Sequence, residues 1–382
     1  MRPTASLACL FLLPAALSAQ DAPPDLAALQ QTANTAYMHG DYEAARQSYV
    51  KAWELVQLTP NNDPVRYDIL KRLTSVRLAA GEFADADNYL QMAVNWRETV
   101  LGQSDPKIPD DLLISVGLCR AMKDYDRARA ILGRVMGLHT VMYGGQSTAV
   151  ADDFSRMAHI YMEQKNLQSA IGSYNSALTM RGKLVSQLDP TLVPDLDHIA
   201  NAYIATRAYD KAEEAYRHAL VIRETLYGKE DPDLIASVDG LAYSMLGQKK
   251  YDDAEPVYQR LIALWTRSVG DDHPMVAMAL DKVATFYTLQ KKFDLARDSQ
   301  EKANAIRAHF LATGLSVAAT EQTAEGHRDV ALALYHRAIN VLDPPSPVFA
   351  DLLKDITEIV KSTETQGKAQ KRTIPAVPPR KN

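Results

Sequence analysis

The chain of 382 residues is poor in cysteine, with only Cys9 and Cys119. If its first residues are removed on export, as argued below, one thiol remains and no internal disulfide can form. The fold must then be held by packing alone. Cys119 lies inside a predicted helix and reads as a buried, inert thiol rather than a nucleophile. Long apolar runs are missing too. The longest, Leu7 to Leu17, is too short for a permanent membrane span. Positive charge is not in excess: the formal net charge is −5, which argues against nucleic acid as the main partner. Gly and Pro, 17 and 19 residues, are near average, which excludes collagen-like and low-complexity chains. Catalytic signatures are absent. There is no glycine-rich phosphate loop, no His-Glu-x-x-His helix, no Gly-x-Ser-x-Gly elbow and no acidic calcium loop. The nine histidines are scattered without a familiar metal spacing. The expectation is a protein that is not an enzyme, with no catalytic residue, no cofactor and no metal.

What is present begins with a leader. Arg2 supplies a short positive region, Leu7–Leu17 an apolar run, and Ala16-Leu17-Ser18-Ala19 small residues suited to cleavage. Residues 1–19 are therefore expected to be a signal peptide. The protein is expected to be exported, periplasmic or extracellular, with no integral membrane segment after cleavage. The remainder, 47% hydrophobic and 23% charged over the whole chain, has the composition of a packed fold.

Self-comparison is the informative step. An aromatic-x-x-Ala element recurs at Tyr42/Ala45, Phe83/Ala86, Tyr125/Ala128, Tyr209/Ala212, Tyr251/Ala254 and Phe293/Ala296, with Leu167/Ala170 filling the gap. The alanines lie 41 and then repeatedly 42 residues apart, and an eighth copy, Arg328/Ala331, follows after 35. Twelve residues before each alanine stand Ala33, Thr74, Val116, Ala158, Ala200, Ala242, Ala284 and Ala319. Four after it stand Tyr49, Leu90, Leu132, Tyr174, Tyr216, Tyr258, Gln300 and Tyr335. Further columns at +7 and +10 are small or apolar, so Trp96 reads as core. Offsets of +4, +7 and +10 mark one face of a helix. Glycines at 102, 144, 228 and 270 suit a left-handed helix end. Asp-Pro pairs at 63, 105, 189 and 231, His273-Pro274 and Ser147-Thr148 suit the next helix start. Each copy is thus a helix, a turn near Gly40, Gly81 or Gly247, a second helix and a joint. Carboxylates are expected at helix starts or on exposed faces.

These columns resemble the tetratricopeptide repeat. The 42-residue period, with stretches such as Ile222-Arg223-Glu224-Thr225-Leu226-Tyr227-Gly228, is similar to the long repeats of the kinesin-light-chain type. The resemblance implies an all-α, right-handed superhelical solenoid of about eight antiparallel helix pairs over residues 20–345. It also implies a protein or peptide partner on the concave face, lined by the first helix of each pair. Binding positions in the family lie two before and one after the small residue of that helix. Carried over, two before gives Gln31, Arg72, Ile114, Arg156, His198, Gly240 and Lys282. One after gives Asn34, Ser75, Gly117, His159, Asn201, Tyr243 and Thr285. The candidate groove residues are Arg72, Arg156, His159, His198, Asn201, Tyr243 and Lys282. The asparagine common in the first column of the kinesin-light-chain type is missing here. Arg72, Arg156 and Lys282 replace it, suited to charge-assisted bonds with carboxylates. Asp197, Asp239 and Asp281 occupy the adjacent column, so the groove is expected to be cationic early and acidic late.

Beyond the repeats, Phe349, Leu352, Leu353, Ile356, Ile359 and Val360 line one side of a predicted helix, residues 346–366. A terminal helix that caps the open end of the solenoid is the simplest reading. Residues 367–382 form a basic tail with five cations and no acid, and Pro375, Pro378 and Pro379 exclude a helix there. The tail reads as a disordered, solvated terminus, with contact to an anionic envelope surface as the other reading. The expected function is an exported interaction scaffold. The alternative is a structural subunit of an envelope assembly, docking through the C-terminal helix and tail.

Overall fold

The computed structural model describes residues 24–57, 63–342, 354, 356–362 and 365. The leader and the basic tail lie outside the described residues, as does most of the predicted capping helix. Among the described residues all regular structure is helical. By Cα packing the chain divides into two compact units, residues 1–187 and 188–382.

The first unit contains α1 (Pro24–Met38), α2 (Tyr42–Gln57), α3 (Asp63–Ala79), α4 (Phe83–Leu101), α5 (Ile108–Ala121), α6 (Tyr125–Tyr143), α7 (Thr148–Glu163) and α8 (Leu167–Leu184). The second contains α9 (Val193–Ala205), α10 (Tyr209–Tyr227), α11 (Ile235–Gly247), α12 (Tyr251–Val269), α13 (Pro274–Leu289), α14 (Phe293–Ala324) and α15 (Arg328–Val341). Within each unit every helix packs on the next in the chain. The repeat columns explain why. The second-helix alanines from Ala45 to Ala254 and Ala331 are 0% exposed, and Ala296 is 8%. The small first-helix residues facing them, from Ala33 to Ala319, are all buried. Two small side chains let the helix backbones approach to the near end of the usual 8–10 Å separation. The next turn, Tyr49, Leu90, Leu132, Tyr174, Tyr216, Tyr258 and Tyr335, fills the space beside them and is buried throughout.

The joints follow the residues placed there. Gly102, Gly144, Gly228 and Gly270 end their helices at φ between 85° and 93°, which costs a glycine nothing. The next helix is then capped. Asp189 accepts from the Thr191 amide at 2.9 Å, Asp231 from Asp233 at 2.8 Å, and Ser147 from Val150 at 3.4 Å. His273 does the same through Nδ1 to the Met275 amide at 3.2 Å. Pro190 and Pro232 each open a single 3₁₀ turn that runs straight into α9 and α11.

Two features depart from the sequence reading. Gly247 is not a turn residue; it closes α11. The left-handed turn position falls two residues later, on Lys249 at φ 60°. The same column holds Gly40 and Gly81 at φ 78°, then Lys123, Lys165, Arg207, Lys249 and Lys291 at φ 58–62°, then Gly326 at φ 85°. Five L-residues occupy a conformation that costs roughly 1–2 kcal/mol each. The second departure is α14, 32 residues without a break. Ala312 stands where the earlier copies carry the joint glycine, and Leu315 where they carry the Asp, Ser or His cap. With no left-handed residue and no cap, the second helix of the seventh copy continues as the first helix of the eighth. Ala303 packs in its first half, and Ala312 and Ala319, both 0% exposed, in its second. In the described part of the predicted capping helix, Ile356 and Val360 join the core of α14 and α15, at 1% and 6% exposure, while Ile359 is 41% exposed. No helix among the described residues is long and apolar enough to cross a membrane.

Candidate functional site: the exposed face of the first helices

The implied binding columns lie on α1, α3, α5, α7, α9, α11, α13 and the second half of α14. The column one after the small residue faces the tyrosine column of the same hairpin. The Tyr49 hydroxyl donates to Asn34 Oδ1 at 2.5 Å, and the Tyr216 hydroxyl to Asn201 Oδ1 at 2.8 Å. Tyr174 Oη lies 3.1 Å from His159 Nδ1, with the rings edge to face, and Tyr335 Oη lies 2.9 Å from Thr320 Oγ1. All four pairs are 15 residues apart. Where the tyrosine is replaced by Leu90 or Leu132, the facing residue is Ser75 or Gly117. Ser75 turns back to the Lys71 carbonyl of its own helix. His159 and Asn201 therefore hold their hairpin closed. Burial pushes the Tyr216 phenol up, and the nearby Asp197 and Asp239 add to it, so it stays a donor.

The cations two before the small residue are paired with carboxylates. Arg72 Nε donates to Asp68 Oδ2 at 2.7 Å and its Nη1 to Asn34 Oδ1 at 2.8 Å, with Tyr49 Oη at 3.4 Å. Arg156 Nη1 lies 3.3 Å from Asp153 Oδ1. Lys282 Nζ donates to both oxygens of Asp239, at 2.6 and 2.5 Å. The acidic column is closed likewise. Arg223 bonds Asp197 at 3.0 and 2.5 Å, while Asp281 takes Arg307 and, at 2.9 Å, Gln300. The expected division into cationic and acidic stretches is thus cancelled locally. His198 is exposed on α9. Tyr243 on α11 is 48% exposed and touches the Tyr209 ring edge to face, centroids 6.3 Å apart. Its hydroxyl has no hydrogen-bond partner among the described residues.

A second polar ladder escaped sequence reading. Arg97 Nη1 bonds Asp105 at 2.8 Å, and its Nε lies 3.6 Å from Asp111. The same Asp111 accepts from the Tyr67 hydroxyl at 2.8 Å and from Lys71 Nζ at 2.7 Å. The Arg97 guanidinium lies over the Tyr67 ring, 4.0 Å from its centroid. One repeat later His139 Nδ1 meets Asp153 Oδ2 at 2.7 Å, and in the second unit Arg223 donates to Ser237. Each pair spans 14 residues, from the end of one hairpin to the first helix of the next. The expectation that carboxylates sit at helix starts or on exposed faces holds for Asp111 and Asp195, which lie in first turns though buried, and fails at Asp87 and Asp153, which are beyond the first turn and at most 1% exposed. The signal was available as a cation followed 14 residues later by Asp or Ser. Desolvation pushes the Asp153 carboxyl up against the pull of His139 and Arg156. No group of three or more His, Cys, Asp or Glu side chains among the described residues is placed to hold a metal ion.

Antiparallel hairpins joined end to end, with small residues and aromatics on one repeating register, define a helical-repeat protein. The tetratricopeptide-repeat family matches over residues 196–233 and 234–309. Among solved structures, the C-terminal part of a TPR repeat-containing protein from Cytophaga hutchinsonii is similar at 14% identity, covering 72% of this chain and 94% of that one, TM-score 0.51. A signal transduction ATPase with numerous domains and a tetratricopeptide repeat sensor, from Pyrococcus horikoshii, is similar at 14% identity, covering 73% of this chain and 42% of that one, TM-score 0.51. A putative kinesin light chain from Podosopora anserina with nearly identical TPR-like repeats shares 16% identity over 54% of this chain and 98% of that one, TM-score 0.46. No curated protein sequence matches the chain. The match over residues 196–309, together with these neighbouring folds, supports reading the chain as a tetratricopeptide repeat protein. That fold suggests a protein-interaction scaffold, and proteins of the class are generally non-catalytic.

Proposed function

We propose that this protein is an exported, non-catalytic scaffold that holds a peptide or protein partner along the exposed face of its first helices. One observation supports the reading above the others. The buried columns are nearly the same in every copy, whereas the exposed to half-buried column Gln31, Arg72, Ile114, Arg156, His198, Gly240, Lys282 changes at each step. Such a column presents a different side chain at each repeat, which suits a non-repeating partner laid along the helices. Export rests on the Arg2 and Leu7–Leu17 pattern, and N-terminal sequencing of protein recovered outside the cytoplasm tests it. Docking of an envelope assembly through the C-terminal helix has less support, because Ile356 and Val360 already cover α14 and α15.

The test is binding of the full chain to an array of extended peptides. Tyr243→Ala/Lys282→Ala and Arg156→Ala/His198→Ala variants should each lose signals that Glu214→Gln, an exposed change on α10, leaves unchanged. Signals that survive in both double variants would place the binding surface on another face.

A further inference from the structure

Within the second unit, each first helix that follows a joint lies on the second helix before it. Gly240 and Gly247 of α11 meet the Tyr216 and Tyr209 rings of α10. Phe286 of α13 meets Tyr251 and Tyr258 of α12, with centroids 6.2 and 5.1 Å apart. A polar contact runs beside the rings. Glu213 accepts from Gln248 at 2.7 Å and from Lys250 at 2.8 Å, and Glu255 from the Tyr287 hydroxyl at 2.8 Å. The receiving stripe is thus Tyr209, Glu213 and Tyr216 in α10, and Tyr251, Glu255 and Tyr258 in α12. In α14 the same columns hold Phe293, Arg297 and Gln300. All three are exposed, Phe293 to 65%, whereas Tyr216 and Tyr258 are each 3% exposed.

By the same register, the second half of α14 would cover that stripe, but the unbroken helix carries it away. Gly240 and Gly247 correspond to Val317 and Ala324, so the missing contacts are Gln300 with Val317 and Phe293 with Ala324. Along one helix these pairs stand about 26 and about 46 Å apart. Val317, 55% exposed, and Ala324 are accordingly uncovered as well. Both sides of one interface are therefore present in the chain and unmatched. They match across two copies. The two pairs share a midpoint, between Ala308 and His309. Two α14 helices laid antiparallel about a two-fold axis at that point bring both pairs into register at once. Charge agrees. Where the acid Glu213 faces Gln248 and Lys250, the equivalent columns set the cation Arg297 against Glu325 and His327. Within its own helix Arg297 meets Asp294 at 3.1 Å, an exposed pair of small worth.

We propose that the stripe Phe293, Arg297 and Gln300 is a self-association surface, and that residues 317–324 of a second copy of this chain occupy it. The exchange is reciprocal, so a single two-fold axis closes the pair. The contact that repeats five and six, and six and seven, make within one chain is made by repeats seven and eight between two chains.

The experiment oxidises the full chain carrying Gln300→Cys/Val317→Cys. A disulfide-linked dimer is expected on a non-reducing gel, with mass spectrometry finding the 300–317 link between heavy- and light-isotope copies. The unsubstituted chain, whose Cys119 is buried, should give no such dimer. In sedimentation equilibrium Arg297→Glu should weaken the dimer at least about tenfold, because it sets like charges together in both halves. Arg297→Glu/Glu325→Arg should restore it. A 300–317 link formed inside single chains overturns the proposal, since α14 would then break and return the eighth repeat to its own hairpin. So does a monomer without the link, or a dimer without it, which would place association on another surface. A charge exchange that fails to restore the dimer overturns it too.

Discussion

Helices α3 and α11 hold equivalent places in their hairpins and solve opposite problems. The outward side of α3 carries Tyr67, Asp68, Lys71 and Arg72, all tied into a polar network with Asn34, Tyr49, Arg97 and Asp111. Helix α11 has polar contacts of its own, Asp239 with Lys282 and Ser237 with Arg223, but at Gly240 and Gly247 it is held by close contact between backbone and tyrosine rings. One repeated unit therefore tolerates two kinds of joint, one made of charge and one of shape. The charged joint spends its side chains on itself, whereas the shaped one sets ring against backbone.

The largest effect should come from removing the acceptor at the centre of the charged joint. Asp111→Ala leaves Lys71, Arg97 and the Tyr67 hydroxyl facing a half-buried void. Urea unfolding should show a loss of about 3 kcal/mol. A loss near that of an ordinary surface change would mean the network is ornamental. The matching change in the shaped joint is Gly240→Ala. The added methyl must displace the buried Tyr216 ring, whose hydroxyl is pinned to Asn201, at a cost of about 2 kcal/mol by the same measurement. Stability equal to wild type would show that α11 can shift freely.

A smaller change of opposite sign is expected at the turns. Lys249→Gly relieves a left-handed L-residue and should raise stability by about 1 kcal/mol, seen as a higher Tm. Gly81→Lys should lower it by a similar amount. If neither moves the Tm, the turn conformation is not strained.

The smallest effect distinguishes the two units by pH. Burial alone would raise the Glu213 carboxyl, but bonds from Lys250, Arg217 and Gln248 outweigh it and hold the group below the usual carboxylate range. Its contribution is complete above the unfolded value of about 4.3 and is lost as pH falls through the folded one. Asp153 is shifted the other way by desolvation. Its contribution is complete below the unfolded value of about 3.9 and is lost as pH rises through the folded one. Hydrogen exchange followed downward from pH 6, corrected for intrinsic rates, should show α10 and α12 loosening while the joint of α6 and α7 does not. Parallel loosening at both places would refute the assignment.

Much of this was legible in the sequence, for a physical reason. Periodic burial writes itself into residue type, so the columns headed by Ala45 and Ala33 fixed the hairpins and their register. Glycine and Asp-Pro punctuation placed the joints. The end of that punctuation at Ala312 and Leu315 was equally readable as the start of a continuous α14. The left-handed lysines were harder to see, because lysine at a turn has an obvious alternative as a solvated residue. Only their alignment with Gly40, Gly81 and Gly326 marks them. The groove was the least legible part. A column of Asn34, His159, Asn201 and Thr320 looks the same whether it greets a ligand or a neighbouring hydroxyl. The tyrosine 15 residues on reveals the hairpin contact, and that pairing shows only when two columns are read together. Tyr243 has such a tyrosine too, Tyr258, but no hydrogen bond joins them among the described residues.

The claim that the polar column one after the small residue serves the hairpin can be measured directly with a double-mutant cycle on Tyr216→Phe and Asn201→Ala. The account predicts that each single change destabilises the fold, with a coupling energy of about 1 kcal/mol between them. Additive effects, with no coupling, would contradict it and return Asn201 to the pool of residues available to a partner.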